Sequence, residues 1–203
     1  MSVRDAAPAA IEALLAPASV AVAGATPDEG KPGGRCVAFL RRFGFDGPVY
    51  PINPRYEEVA GERCYPDLAS IPGAVELLVL VVPAAAVPGY LRDAAAVGVR
   101  AAIVCSSGFA ETGADGAALE AEVAAIAAES GMAVVGPNSL GVLDLNSRLA
   151  ATFTTALQGD LPLRPGPIAF VTQSGAMGAA IFALAQTEGI PAGRFLSSGN
   201  ETV

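Results

Sequence analysis

The sequence contains no histidine and only three cysteines among its 203 residues. Cys36, Cys64 and Cys105 are odd in number, lie far apart and form no C-x-x-C pair. A structural zinc site needs closely grouped cysteine or histidine ligands, and a disulfide framework needs an even set of cysteines in a small secreted domain. We therefore expect neither a metal site nor a disulfide framework, and this cysteine usage is typical of a cytosolic protein.

The sequence also has few basic residues and no uninterrupted apolar segment that could span a membrane. It has 12 Lys and Arg against 20 Asp and Glu, a net charge of −8, so its surface would repel nucleic acid phosphates. The most apolar stretch, residues 76–105, is interrupted by prolines and charged residues, whereas a membrane span needs about 20 predominantly apolar residues. The N-terminal "MSVRDAAPAA" lacks the apolar core of a signal peptide. We predict a cytoplasmic protein that binds neither nucleic acid nor a membrane.

Short apolar segments that alternate with helical ones are what the sequence has in quantity. "VELLVLVV", residues 75–82, shows no polar alternation, which indicates a strand of a parallel sheet covered on both faces. Residues 115–131 form the clearest helix, with Gly131 in the position of a C-terminal cap. The other predicted elements are strands at 19–25, 47–54, 100–107 and 132–138 and a small hairpin that turns at Ala60–Gly61. The alternation predicts an α/β fold, with a Rossmann-like doubly wound domain over residues 1–145.

Residues 146–203 are predicted to hold a linker and the start of a second α/β unit. Residues 147–166 are rich in hydroxyl side chains and show no regular pattern, so they are the best linker candidate. "PIAFV" then predicts a strand, and "AMGAAIFALAQTEG" predicts a helix. Such a small unit cannot cover the faces of its own sheet, so we expect this second domain to be truncated and completed by further residues or a partner.

The loop after the first strand, "GATPDEGKPGG", lies where doubly wound domains bind nucleotides. It lacks the G-x-G-x-x-G spacing, and the second strand ends in Asn53-Pro54-Arg55 rather than in an acidic residue. An arginine pairs with an added ribose phosphate, whereas a carboxylate repels it. The pattern favours coenzyme A or NADP. The alternative is that Gly24 only makes a tight turn and that Arg55 is a solvated surface charge.

Two further turns place glycine beside a small hydroxyl residue just after a strand. They are "GPNSLG", residues 136–141, and "TQSGAMG", residues 172–178. Glycines near the start of a helix let backbone N–H groups converge on an anion, which indicates phosphate or carboxylate binding. The alternative role of these Ser and Asn residues is to cap strand ends and turns.

Six ordered motifs give the sequence a family resemblance from about residue 16 onward. "SVAVAGATPDEGKPGG", "VYPINP", "VVPAAAVP", "SSGFAETG", "GPNSLGV" and "VTQSGAMG…GI…FLSSGNE" resemble NDP-forming (ADP-forming) acyl-CoA synthetases, relatives of the succinyl-CoA synthetase α subunit. The resemblance implies a CoA-binding Rossmann-like domain followed by the first part of a flavodoxin-like ligase domain. It also implies an acid–CoA ligase that works through an acyl phosphate and a phosphohistidine, with the nucleotide handled by a separate ATP-grasp domain.

The resemblance also implies which residues contact coenzyme A. They are Gly24, Ala25, Thr26 and Lys31 at the diphosphate part, Asn53 and Arg55 at the adenosine end, Val82 and Pro83 against adenine or pantetheine, Ser106, Ser107 and Gly108 along the pantetheine arm, and Asn138 and Ser139 near the thiol. The family often has cysteine at position 139, so serine there argues against a covalent role for this residue.

The resemblance further implies that Gln173, Ser174 and Gly175 form a helix N-terminus that holds the phosphoryl group. The positive end of the helix dipole suits such an anion. The family's phosphohistidine lies downstream of the "GNE" motif and is absent here, so no catalytic residue is assigned in this chain and we expect no ligase turnover from it alone. ATP or ADP and Mg²⁺ would then bind only to an ATP-grasp domain or subunit.

Several alternatives stay open on the sequence. The chain could be a non-catalytic CoA- or acyl-CoA-binding protein, or the ligase-like regulatory region of a protein acetyltransferase, and a NADP-dependent oxidoreductase is a lesser alternative. The small carboxylic acid, the choice between ATP and GTP, and the subunit arrangement are not determined by these residues.

Overall fold

The computed structural model of the chain describes residues 3–202. The helices are α1 (Val3–Leu15), α2 (Pro32–Arg42), α3 (Val87–Ala96), α4 (Ala114–Ser130) and α5 (Gly175–Thr187). The strands are β1 (Val20–Ala23), β2 (Val49–Ile52), β3 (Glu58–Val59), β4 (Glu62–Arg63), β5 (Leu77–Leu80), β6 (Ala101–Val104), β7 (Ala133–Val135), β8 (Gly141–Asp144), β9 (Leu149–Thr152), β10 (Ile168–Thr172) and β11 (Ala192–Ser197). Among the described residues, no helix is both long enough and apolar enough to cross a membrane.

The first sheet has the strand order β2-β1-β5-β6-β7, and all of its strand pairs are parallel. Chain order runs one way from β1 to β2 and the other way from β1 to β5, so the winding of the sheet reverses beside β1. In doubly wound sheets, ligands bind at the carboxyl ends of the strands that flank such a reversal. The α/β fold and the predicted doubly wound domain are confirmed.

Helices cover both faces of this sheet, which is why its central strands show no polar alternation. Alternate residues of β1 and β5 belong to two separate cores, with Ala21 and Leu78 on one face and Val22 and Val79 on the other. Helices α3 and α4 contribute to the first core, and α1 and α2 to the second. Since each apolar side chain of these strands finds a layer of helices, the continuous apolar pattern is satisfied.

Two local signals in the sequence predict the observed backbone correctly. Gly131 ends α4 in the left-handed conformation, with φ of 71° and its N–H bonded to the Ala127 carbonyl. Ala60 and Gly61, with φ of 53° and 81°, form the turn between the short antiparallel strands β3 and β4. Glycine accepts such a conformation without the steric cost that a Cβ brings.

The second sheet has the order β10-β11-β8-β9, in which β10 and β11 are parallel and the other pairs are antiparallel. The prediction that residues 147–166 are irregular is wrong for β9, which is a fully buried strand. Its "LAAT" sequence is a weak strand signal, but its residues lie against α2 and β8 in two hydrophobic cores. Because β8 pairs with β11, it belongs to the second sheet although it precedes residue 145; the boundary at that residue stays a prediction.

Candidate functional site

The carboxyl ends of β5 and β6, the turn after β7, the first residue of α2 and the residue after β9 surround one cleft of about 460 Å³. The residues that line it are Pro32, Val81, Val82, Pro83, Cys105, Ser106, Ser107, Asn138 and Phe153. Five of the predicted coenzyme A residues, Val82, Pro83, Ser106, Ser107 and Asn138, are therefore brought together. This cleft lies beside the reversal of the sheet, where doubly wound domains bind nucleotides.

Gly24 makes the turn that ends β1 at the edge of this cleft. Its φ is +83°, and a Cβ there would overlap the carbonyl oxygen of Val81 on the neighbouring strand. The Gly24 N–H donates to the carbonyl of Ile52 at 3.0 Å, which ties the turn to β2. Only glycine combines this conformation with so close a backbone approach. Packing of the sheet therefore requires glycine at position 24, whether or not a ligand binds over the turn.

The loop that follows Gly24 is folded against the first turn of α2. The Asp28 side chain accepts a hydrogen bond from the Gly30 N–H at 2.9 Å, and the backbone carbonyl of Asp28 accepts one from the Lys31 N–H at 3.0 Å. A Cβ on Gly33 would overlap the Gly24 carbonyl, and one on Gly34 would lie 2.6 Å from the Thr26 carbonyl oxygen. Gly33 and Gly34 are not among the predicted site residues. Their signal is the "GKPGG" string, because a helix whose first turn is packed this tightly on a loop needs glycine there.

Asn53 holds the loop in place from the end of β2. Its side-chain N–H₂ group donates to the Ala25 carbonyl at 2.8 Å, and its side-chain oxygen accepts the Arg55 N–H at 3.1 Å. Asn53 also borders a second cleft of about 480 Å³, together with Tyr56 and Arg63. Since Asn53 is buried and both of its polar atoms are occupied, its observed role is to fix the loop, and its contact with adenosine stays a prediction.

Three cations lie around the loop, and among the described residues only Lys31 pairs with a carboxylate. Lys31 is exposed and lies 3.8 Å from Asp28. The Arg55 guanidinium lies 6.0 Å from the centre of the Tyr56 ring. Arg35 donates to the carbonyls of Phe153 and Gly30 at 3.0 and 2.9 Å, and its buried Nε has no partner among the described residues. Positive charge is therefore available at the loop although the whole chain is acidic.

The turn after β6 is fixed by its own side chains. The Ser106 hydroxyl donates to the Val82 carbonyl at 2.5 Å, which joins the ends of β5 and β6. The Glu111 carboxylate accepts the N–H groups of Gly108 and Phe109 at 2.6 and 3.2 Å. Ser107 lines the cleft, and its hydroxyl makes no hydrogen bond within the described part of the chain. The Gly108 N–H is thus occupied within the protein, so Gly108 can only line a pantetheine arm and not donate to it.

Asn138 and Ser139 differ in accessibility although they are adjacent. Asn138 lines the cleft and has a φ of +57°, a conformation that asparagine tolerates better than most residues. Ser139 is 1% exposed; its hydroxyl donates to the Ser197 carbonyl at 2.5 Å and accepts the Gly141 N–H at 3.0 Å. Ser139 therefore links the two sheets, and its predicted place near the coenzyme A thiol stays a prediction.

The predicted phosphate residues lie at the N-terminus of α5, on the second sheet. Ser174 is the N-cap residue, and within residues 3–202 its side chain makes no capping hydrogen bond, so the hydroxyl can bind another group. A Cβ on Gly175 would lie 2.6 Å from the Leu140 Cβ, so this glycine is also needed for packing. The same Cβ would lie 3.1 Å from the hydroxyl of Ser197, which is buried and has no hydrogen-bond partner among the described residues.

Burial and hydrogen bonding shift the pKa values of two groups near the cleft. Burial raises the pKa of the Cys105 thiol well above its ordinary value, and the nearby Cys36 raises it further, so Cys105 is a poor nucleophile at neutral pH. Burial also opposes ionisation of Glu111, but hydrogen bonds from Asn200, Gly108 and Phe109 outweigh it and lower the pKa of Glu111 to about 2.

Phe153, which follows β9 and lines the cleft, is not among the predicted site residues, because no signal in the sequence marks β9 as a strand.

Comparison with protein families identifies two regions in the same order as the two sheets. Residues 18–144 match the family described as CoA binding domain, and residues 165–203 match the succinyl-CoA ligase like flavodoxin domain. The second region begins just before β10. The matches confirm both kinds of region in the predicted fold, a CoA-binding region and a flavodoxin-like ligase region.

The chain is also similar in sequence to individual proteins. The chain is 38% identical over 193 residues to an ADP-forming acetate–CoA ligase I of Archaeoglobus fulgidus, covering 95% of this chain and 27% of that protein. It is 38% identical over 184 residues to the α subunit of the ADP-forming acetate–CoA ligase II of Pyrococcus furiosus, covering 91% of this chain and 39% of that subunit.

A solved structure matches as well. It is the dinucleotide-forming acetyl-coenzyme A synthetase 1 of Ca. Korarchaeum cryptofilum in complex with phosphate and ADP. The match has a TM-score of 0.86 at 38% identity, and covers 95% of this chain and 40% of that one. The chain thus spans between about a quarter and two fifths of the length of these relatives, in their CoA-binding region. From residue 18 to residue 144 the chain belongs to the CoA binding domain family, and the two relatives named above are ADP-forming acetate–CoA ligases.

Proposed function

We propose that this chain is the coenzyme A-binding portion of an ADP-forming acid–CoA ligase. Such a ligase catalyses acyl-CoA + phosphate + ADP ⇌ carboxylic acid + coenzyme A + ATP. The observation that carries the proposal is the pairing of a CoA binding domain with a ligase-like flavodoxin domain in one chain, joined through the sheet that contains β8 and β11.

Features of the cleft and of the loop after β1 support coenzyme A as the ligand. The tight turn at Gly24 lets a diphosphate approach the start of α2, where free N–H groups and the helix dipole favour an anion. Lys31 and Arg35 add positive charge beside this loop. The apolar wall of Val82 and Pro83 suits the pantetheine arm, which would end near Asn138.

The second sheet would hold the phosphoryl group during transfer. The N-terminus of α5 offers free backbone N–H groups and the Ser174 hydroxyl, which makes no capping hydrogen bond. Behind Gly175 it also has the Ser197 hydroxyl. The 203 residues contain no histidine, so the phosphohistidine of such a ligase must lie elsewhere in the assembly. ATP or ADP with Mg²⁺ would bind an ATP-grasp domain or subunit, which supplies the phosphoryl chemistry. This chain's own contribution is to bind coenzyme A and to orient the two anionic groups.

Titration calorimetry with coenzyme A, dephospho-coenzyme A and NADPH tests the binding part of the proposal. We expect coenzyme A to bind most tightly, and dephospho-coenzyme A about ten- to a hundredfold more weakly, because a charge-assisted contact with the 3′-phosphate is lost. Arg55→Ala should remove most of that difference, whereas Arg92→Ala, on α3 and paired with Glu122, should leave it unchanged. Tighter binding of NADPH than of coenzyme A would contradict the proposal.

A further inference from the structure

Glu111 and Glu120 form an acidic pair that holds the turn of residues 198–202 against the first sheet. The side-chain N–H₂ group of Asn200 donates to both carboxylates, at 2.8 Å each. The Thr202 hydroxyl donates to the other oxygen of Glu120 at 2.6 Å. We call these four residues the latch: Glu111, Glu120, Asn200 and Thr202. It joins the region after β6 and the helix α4 to the last described residues of the chain.

The latch is built from neutral donors around two like charges. Ala110 donates its N–H to Glu120 at 3.0 Å, in addition to the donors from Gly108 and Phe109 to Glu111. Neither carboxylate takes part in an ion pair among the described residues. Hydrogen bonds to the ionised form lower the pKa of both groups although burial opposes this. Both carboxylates are therefore ionised at neutral pH, and neutral donors from residues 108–110 and from the turn of residues 198–202 stabilise their charge.

On one side, the latch is continuous with the cleft of the first sheet. Glu111 accepts the Gly108 N–H, and Gly108 directly follows Ser107 in the wall of the cleft. The Asn200 N–H donates to the Pro137 carbonyl at 2.9 Å, next to the cleft residue Asn138. A ligand that orders the turn after β6 must therefore also fix the position of Glu111.

On the other side, the same turn contacts the N-terminal loop of α5. The Ser198 N–H donates to the Thr172 carbonyl at 2.9 Å, and Gln173 donates its side-chain N–H to Glu201 at 2.8 Å. Gly199 packs so tightly on the backbone of residues 137–138 that a Cβ there would overlap the Pro137 carbonyl oxygen. The turn is thus held at close range by contacts with both sheets.

We propose that Glu111 and Glu120 are positioning residues that couple the coenzyme A cleft to the N-terminus of α5 through the turn of residues 198–202. This inference rests on the proposed function, because it takes coenzyme A as the ligand of the cleft. Occupation of the cleft fixes Glu111, Glu111 fixes Asn200, and the turn then fixes Gln173. Phosphate binding at α5 is therefore favoured when coenzyme A is bound, and by thermodynamic reciprocity the reverse also holds.

Hydrogen exchange measured by mass spectrometry, with and without saturating coenzyme A, tests the coupling. In the wild-type protein we expect coenzyme A to slow exchange in peptides that cover residues 172–176 and 198–202 by at least about fivefold, the lower end of typical coupling factors. Glu111→Gln keeps the size of the side chain but removes the negative charge that accepts hydrogen bonds from the turn after β6 and from Asn200. It should abolish this response while calorimetry shows coenzyme A affinity within about threefold of wild type. Glu122→Gln, on the same helix as Glu120 but paired with Arg92, is the control and should respond as wild type.

A second variant protects the test against simple misfolding. Thr202→Val removes only the hydroxyl that donates to Glu120, and it should weaken the response of residues 172–176 without changing exchange in β5 or β6. If coenzyme A binds both variants and slows exchange in residues 172–176 as much as it does in wild type, the coupling is wrong and the proposed function stands. If the wild-type protein does not bind coenzyme A at all, the proposed function fails and this inference fails with it.

Discussion

Strands β5 and β10 have similar sequences but opposite surroundings. "LLVL" in β5 is fully buried, whereas in "IAFVT" of β10 the side chains of Ile168, Ala169 and Val171 are exposed. Strand β5 lies at the centre of the first sheet, with helices on both faces, while β10 is the edge strand of the second sheet. Apolar composition thus predicts that both segments are strands, but the number of layers around each strand decides its burial.

Helix α5 shows the same contrast within one element. Its residues Ala179 and Phe182 are buried against the second sheet, while Met177, Ile181 and Leu184 form an exposed apolar stripe. The opposite end of that sheet is different, because β9 is covered by α2 of the first unit. The second sheet is therefore well packed where it touches the first unit and open along β10 and α5.

The largest expected effect comes from the same substitution placed in each region. Leu78→Ala in β5 empties a fully buried site between the helix layers and should lower the free energy of unfolding by about 2–5 kcal/mol. Leu184→Ala in α5 removes a side chain that is 59% exposed and should cost no more than about 0.5 kcal/mol. Urea denaturation of both variants measures the difference. Equal losses would mean that the stripe on α5 is packed in solution.

An intermediate effect is expected where two glycines share a conformation but not their surroundings. Gly24 and Gly98 have φ of +83° and +82°, yet a Cβ would overlap the Val81 carbonyl at the first and meet nothing within 4 Å at the second. Gly98→Ala should cost about 1–2 kcal/mol of stability, the strain of a left-handed residue alone. Gly24→Ala should cost more, because β1 and β5 must move apart, and it should also weaken coenzyme A binding. Thermal unfolding with calorimetric titration checks both, and a Gly24→Ala protein as stable as Gly98→Ala would contradict the role of the close approach.

The smallest expected effect concerns the latch between the two regions and its dependence on pH. The pKa of Glu111 is about 2 in the folded protein, against an ordinary value of 4.5, so folding favours its ionised form. This contribution is fully present above about pH 5 and is lost as the pH falls from 4.5 toward 2. Glu111→Gln should therefore be less stable than wild type at pH 7, and the difference should shrink through this acidic range.

Denaturation midpoints in urea at a series of pH values measure this change. Glu122→Gln provides the matched comparison, because Glu122 pairs with Arg92 on the surface of α4 and lies outside the latch. A Glu111→Gln difference that stays constant down to pH 2 would contradict the role assigned to the carboxylate.

Much of the fold could be predicted from local patterns in the sequence. The strand predicted at 75–82, the capped helix at 115–131 and the turn at Ala60–Gly61 each depend on residues close together in the chain. Strand β9 could not be predicted, because its small side chains carry little strand preference and its burial comes from α2, more than 100 residues earlier. Glycine positions in the site were predicted only in part, since Gly33 and Gly34 matter through contacts with a loop that the sequence does not show to be folded back.

The sequence by itself determined the alternation of strands and helices, the glycine turns at the strand ends and the absence of histidine, because each is a property of residue type or short spacing. Only the tertiary structure decided which polar side chains are free. The side chains of Asn53 and Ser139 form hydrogen bonds within the protein, whereas the Ser174 side chain makes no capping hydrogen bond. Glu111 accepts a hydrogen bond from Asn200, 89 positions away in the chain. The physical reason is that a hydrogen bond depends on distance in space, and strand order, not sequence spacing, sets the distances between these side chains.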